Sequence, residues 1–181
     1  MRSFIAIPLP EDIADAAEDL QEGLRGANWT DAETMHLTLA FLGEQDRRSL
    51  EDLDSHLLGL DAPSFSLALE GVGIFGDPRE ARLVYAGVAD APLLRRLQSK
   101  VMGAAREAGL SLETRRFTPH VTLARWSRGA VPAEPLLAYL SAHNLFRSAV
   151  FDVTSFTLYR SDLGRSGAAH TPLAEYALRP A

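Results

Sequence analysis

One tetrapeptide, present twice, constrains this chain more than any other feature. His36-Leu37-Thr38-Leu39 sits within MHLTLAFLG, and His120-Val121-Thr122-Leu123 within PHVTLAR. Both copies alternate polar with apolar residues, the period of a half-buried strand. On a strand, residues two apart share a face. Each copy therefore sets an imidazole beside a hydroxyl, with two apolar residues behind to enter a core. Two such strands side by side bring two histidines and two threonines onto one small group, and a phosphate suits them.

The chemistry follows from the side chains. Histidine titrates near neutrality, so a pair flanking a phosphodiester can divide acid and base work. One neutral ring takes a proton from the attacking hydroxyl or water; the other, protonated, gives a proton to the oxygen that leaves. The threonine hydroxyls can donate to non-bridging oxygens. Arg125, at the end of the second motif strand, adds a charge-assisted bond to the same phosphate. This scheme calls for no metal and no cofactor. A metal site is the alternative, since histidine is a frequent ligand. It is weakened because neither motif has a third ligand at a recognisable spacing.

Composition narrows the setting. The chain of 181 residues is 46% hydrophobic and 23% charged, which fits an ordered globular fold. We expect one domain over residues 1–181 with two lobes. There are no cysteines, so disulfides, thiolate metal sites and cysteine nucleophiles are excluded. The start, MRSFIAIPLPEDIADA, reads as a first strand rather than a signal peptide, and no run is long enough to span a membrane. We therefore expect a cytoplasmic protein. The formal net charge of −6 argues against a broad non-specific nucleic-acid surface, but not against a local basic pocket.

Periodicity predicts the elements between the motifs. Strands are expected at Arg2 to Pro8, at both motifs, at Phe65 to Gly73, at Arg82 to Val88, at Val150 to Tyr159 and at Thr171 to Leu178. Helices are expected from Pro10 to about Leu24, Asp46 to Leu58, Pro92 to Ala108 and Pro132 to His143. Asn28 to Glu33 and Gly164 to Ala169 read as loops. This order lacks the strict alternation of a doubly wound sheet. It predicts an α+β fold, bilobal and duplicated, with antiparallel or mixed sheets around a central cleft and helices outside.

Other residues are weaker candidates. Trp29 and Phe41 could stack on a base; Phe41 is preferred, although its parity along the strand is opposite to that of His36. Arg115 and Arg116 precede the second motif and could contact phosphate. His56 and His143 lie near helix C-termini, where a cation suits the dipole. His170 is expected to be an exposed loop histidine.

The extended motifs resemble the 2H phosphoesterases, named for their two H-x-[ST]-h motifs. Among these the chain looks most like the RNA 2′,3′-cyclic phosphodiesterases, also called 2′-5′ RNA ligases. The resemblance runs through Arg2 to Ile7, Trp29, HLTLAFLG, Phe75, FTPHVTLAR and Leu158-Tyr159-Arg160-Ser161. It implies metal-free hydrolysis of a terminal 2′,3′-cyclic phosphate to a 2′-phosphomonoester, with reversible 2′-5′ ligation as related chemistry. By position, His36 would donate the proton, His120 would accept one, and Thr38, Thr122 and Arg125 would bind phosphate. The implied partner is RNA with a cyclic-phosphate end, tRNA fragments included, or a small nucleotide; no membrane is expected, and the chain is expected to be a monomer. Two other readings remain open: a phosphodiesterase for small cyclic nucleotides or 2′-5′ linked substrates, and a nucleotide- or RNA-end-binding module without catalysis. The chain departs from the family's pattern at Ala168, Ala169 and His170, and at Tyr85, where relatives often carry tryptophan.

Overall fold

The computed structural model describes residues 1–164 and 167–181. Ten strands and four helices follow the order β1 (Arg2–Pro8), α1 (Glu11–Glu18), β2 (Asn28–Trp29), β3 (His36–Glu44), α2 (Arg47–Leu58), β4 (Phe65–Leu67), β5 (Leu69–Gly73), β6 (Leu83–Val88), α3 (Pro92–Glu107), β7 (His120–Arg125), α4 (Ala133–His143), β8 (Phe151–Val153), β9 (Ser155–Gly164) and β10 (Gly167–Ala177). Every paired strand is antiparallel to its neighbour. The fold is α+β, as expected.

The main sheet has the strand order β10-β9-β1-β3-β7-β6-β5. β3 and β7 carry the two motifs and meet at one ladder pair, Leu37 with Val121. On one side of that seam lie β1, β9 and β10; on the other lie β6 and β5, with β2 added along β7. The two motif strands thus adjoin at the middle of the sheet, held by that one pair.

Apolar residues from both halves enter one core cluster. Leu37, Leu39, Val121 and Leu123 are buried with Leu53, Leu57, Leu94, Leu97 and Leu136 from the helices. α3 packs on β3 and on α2, and α4 packs on β5. Two helix starts have local causes. Asp46 caps α2 by accepting the Ser49 amide at 2.7 Å, and Pro92 occupies the first turn of α3, where no N–H partner is needed. No helix among the described residues is long and apolar enough to cross a membrane.

Several expected elements differ, the loop at Asn28 to Glu33 among them, since it contains the short strand β2. The periodic run from Pro10 to Leu24 is helical only to Glu18. Leu20 and Leu24 remain buried, but Gln21 turns its side-chain amide to the carbonyls of Thr30 and Leu123 at 2.6 and 3.3 Å. The long strand expected from Val150 to Tyr159 breaks at Thr154, and the one from Phe65 to Gly73 breaks at Ala68. At both breaks the chain changes sheets: β4 and β8 leave the main sheet and pair with each other. Of the expected loop at Gly164 to Ala169, Gly164 belongs instead to β9 and Gly167 to Ala169 to β10, which pair as antiparallel strands. Residues 165 and 166 of that stretch lie outside the described residues.

Candidate active site

His36 and His120 open β3 and β7, and each fixes its ring in the same way. The Nδ1 of His36 lies 2.7 Å from the carbonyl oxygen of Thr34. The Nδ1 of His120 lies 2.8 Å from that of Thr118. A backbone acceptor at Nδ1 selects the tautomer with its proton there, leaving Nε2 free to face the cleft as an acceptor. Thr38 and Thr122 follow on the same face and are half-buried. Arg125 donates to the Thr122 hydroxyl at 3.4 Å.

A bulge in each motif strand brings in the next residue. The register of β6 against β7 shifts between Val84 and Tyr85, which makes Leu123 the extra residue on β7. The register of β1 against β3 shifts between Ile5 and Ala6, which makes Leu39 the extra residue on β3. Leu39 and Ala40 are thereby both buried, as are Leu123 and Ala124. Alternation resumes one residue late. Phe41 and Arg125, at equivalent places in the repeat, so share the face of the histidines. The expected opposite parity of Phe41 is corrected by this bulge, and its ring is 63% exposed.

Aromatic rings wall both imidazoles. Phe4 stacks on His36 with ring centroids 4.8 Å apart, and Tyr159 stacks on the other face of Phe4 at 5.2 Å. Phe75 meets His120 edge-on at 5.0 Å, and Tyr85 lies 5.3 Å away. Gly73 makes room for Tyr85: a Cβ there would come 2.6 Å from the tyrosine hydroxyl. The sequence named Phe75 and Tyr85 but did not place them at the histidines. The pairing of Tyr85 with Thr122 brings Tyr85 there, and Phe75 packs on Tyr85 with ring centroids 4.8 Å apart.

Burial sets the electrostatics. It lowers His36 from its ordinary value to about 4, with smaller contributions from the positive charge of His170, Arg125 and His120. Burial also lowers His120 and Arg125, and nearby Arg2 lowers Arg125 further. With both rings pushed toward their neutral form, Arg125 and nearby Arg2 are the positive charges beside them, an arrangement that favours an anion.

The other candidates fall elsewhere. Trp29 packs on Tyr139 at 6.2 Å as part of the core margin. Arg115 is exposed and pairs with Glu113 at 3.0 Å, and Arg116 is exposed. His56 lies 3.6 Å from Glu107, and His143 packs on Tyr139. His170 is not an exposed loop residue: it is half-buried on β10, with its ring 5.2 Å from that of His36. Among the described residues no three histidine or acidic side chains form a metal-binding set.

The model of the 2′-5′ RNA ligase superfamily matches residues 9–165, which include both motifs. The chain belongs to the 2′-5′ RNA ligase superfamily. Within it, the chain is similar to proteins named RNA 2′,3′-cyclic phosphodiesterase. One, from Geobacillus stearothermophilus, is 35% identical over 90% of this chain and 53% of its own length. Another, from Thermotoga maritima, is 32% identical over 97% of this chain and 94% of its own. So the chain spans about half of the first relative and nearly all of the second. The solved structure of Escherichia coli LigT with 3′-AMP superposes with a TM-score of 0.79 at 29% identity, covering 98% of this chain and 97% of that one.

Proposed function

We propose that this superfamily member hydrolyses RNA 2′,3′-cyclic phosphate ends to 2′-phosphomonoesters by acid–base catalysis between two histidines. One observation carries the reading: two imidazoles on adjoining strands, each with Nδ1 held by a carbonyl two residues back and Nε2 free. The relatives' shared name supports the substrate class.

In the proposed step, the phosphate sits between the rings. His120 Nε2 takes a proton from water as the water oxygen bonds to phosphorus. The bond from phosphorus to the 3′ oxygen breaks, and His36 gives its proton to that oxygen. One water enters, no net proton is lost, and the phosphate stays on the 2′ oxygen. Thr38, Thr122 and Arg125 bind the non-bridging oxygens as charge builds on them. Phe41 offers an exposed ring for the terminal base.

His36 must be protonated to act as the donor, yet burial holds its ring neutral at pH 7. The substrate's phosphate supplies the remedy, because a neighbouring anion favours the imidazolium. Binding and proton uptake are therefore coupled. This reading treats residues 1–181 as one catalytic unit, a monomer acting in the cytoplasm, and treats joining of a cyclic end to a 5′-hydroxyl as the reverse chemistry.

A second reading, a phosphodiesterase for small cyclic nucleotides, is favoured by the net charge of −6. Turnover of a nucleoside 2′,3′-cyclic phosphate against an RNA oligomer with the same terminal nucleotide separates the two. Higher kcat/KM on the oligomer supports the RNA reading; equal or lower values support the small substrate. Tight binding of a 2′-phosphonucleotide with no turnover of either would mark a binding module.

A further inference from the structure

His170 is a histidine at the site for which this mechanism has no use. It pairs with Ser161 on β9, two residues before Pro172, which pairs with Tyr159. Tyr159 in turn pairs with Phe4. Strand alternation thus sets His170 on the face that carries Phe4 and His36. Its ring stands edge-on to both, with centroids 4.9 Å from Phe4 and 5.2 Å from His36 at interplanar angles of 78° and 89°.

The other half of the molecule supplies the comparison. There Phe75 meets His120 edge-on at 5.0 Å and 83°. One motif histidine is flanked by a phenyl ring and the other by an imidazole in nearly the same attitude. Packing alone would be served by phenylalanine in both places, without the cost of burying ring nitrogens. The buried Nδ1 of His170 makes no well-aligned hydrogen bond among the described residues, although the Ala169 backbone is near enough to favour its proton. The three histidines do not form a metal-binding set, so ligation does not account for the imidazole either.

Position then selects the ligand. With β10, β1, β3 and β7 in that order across the sheet, His170 flanks His36 on the side away from His120. In the cyclic-phosphodiester reading, on which this inference rests, phosphorus lies between His36 and His120. The leaving 3′ oxygen lies against His36, and beyond it are the ribose and base. We propose that His170 is a specificity residue that hydrogen-bonds the terminal nucleoside, and not the phosphate, on the leaving-group side of His36. Burial lowers its proton affinity. With Nδ1 buried, a neutral ring presents Nε2 as either donor or acceptor according to its tautomer, which suits uncharged hydroxyl, amino and carbonyl groups.

Calorimetric titration of the wild-type protein, H170F and H170Q with a nucleoside 2′-monophosphate and with inorganic phosphate tests this. H170F, which copies the packing at Phe75, should weaken nucleotide binding about tenfold, the loss of one buried hydrogen bond. It should leave phosphate binding unchanged, and H170Q should recover part of the loss. Equal weakening of both ligands would overturn the proposal, because His170 would then act on the phosphate or through His36. No change for either ligand would overturn it too. Unchanged phosphate binding doubles as evidence that the site is folded; if H170F fails to fold, H170Q decides by the same comparison. With cyclic nucleotide as substrate, H170F should raise KM and leave kcat nearly unchanged. A wild-type protein that turns over no cyclic phosphate would sink the phosphodiesterase reading, while the two-ligand binding comparison would still judge His170.

Discussion

The imidazole of His36 is held neutral by burial and is asked to give up a proton, and this tension has measurable consequences. Profiles of kcat/KM report the free protein, and those of kcat report the complex. Because bound phosphate raises the proton affinity of both rings, the alkaline limb of kcat should lie at higher pH than that of kcat/KM; superposed limbs would contradict the coupling. The apparent values belong to the pair, not to either ring. A second consequence concerns folding. The unfolded chain protonates His36 near pH 6.5, the folded one only near pH 4. Between those values the unfolded state binds more protons, so stability falls as pH is lowered, by on the order of 3 kcal/mol for this ring. H36F should therefore lose less melting temperature between pH 7 and pH 4.5 than the wild-type protein does. Gly73 gives a third test. An added Cβ would meet the Tyr85 ring, which lies against His120. G73A should lower kcat more than it lowers stability, measured by steady-state kinetics beside thermal melting.

At the scale of the element, the two bulges decide what the motifs can reach. Each turns H-x-T-L-A into a strand whose next residue, Phe41 or Arg125, returns to the histidine face. Phe41 is 63% exposed, so F41A should leave the melting temperature nearly unchanged. It should weaken binding of a nucleoside 2′-monophosphate by about 1–3 kcal/mol, the usual worth of one stacked base; unaltered affinity would remove Phe41 from the site. Sequence periodicity placed both motif strands and most of α2, α3 and α4, because amphipathic stripes and caps are local signals. It could not show the bulges, since an extra residue is defined only against a partner strand. The early end of α1 and the sheet changes at Ala68 and Thr154 were hidden for the same reason: Gln21 and the β4–β8 pair act on distant strands. His170 was misplaced because only the β9–β10 hairpin, laid along β1, carries it to His36.

For the whole molecule, a duplicated motif on two adjoining strands makes the cleft, and the acidic charge keeps its reach short. With a net charge of −6, only the end of an RNA should be held. The dependence of binding on salt should then be shallow, corresponding to one or two neutralised phosphates, and should not steepen from a dinucleotide to a longer oligomer. A slope that grows with length would reveal an extended RNA track. Whether both motif histidines act on one cyclic phosphate is decided by the product formed from an oligonucleotide with a 2′,3′-cyclic phosphate end by the wild-type protein, H36A and H120A. We expect a 2′-phosphomonoester from the wild-type protein and kcat/KM reduced by about 10²–10⁴-fold in each variant; turnover retained by both variants, or a 3′-phosphate product, would show that the two rings do not divide the work in this way.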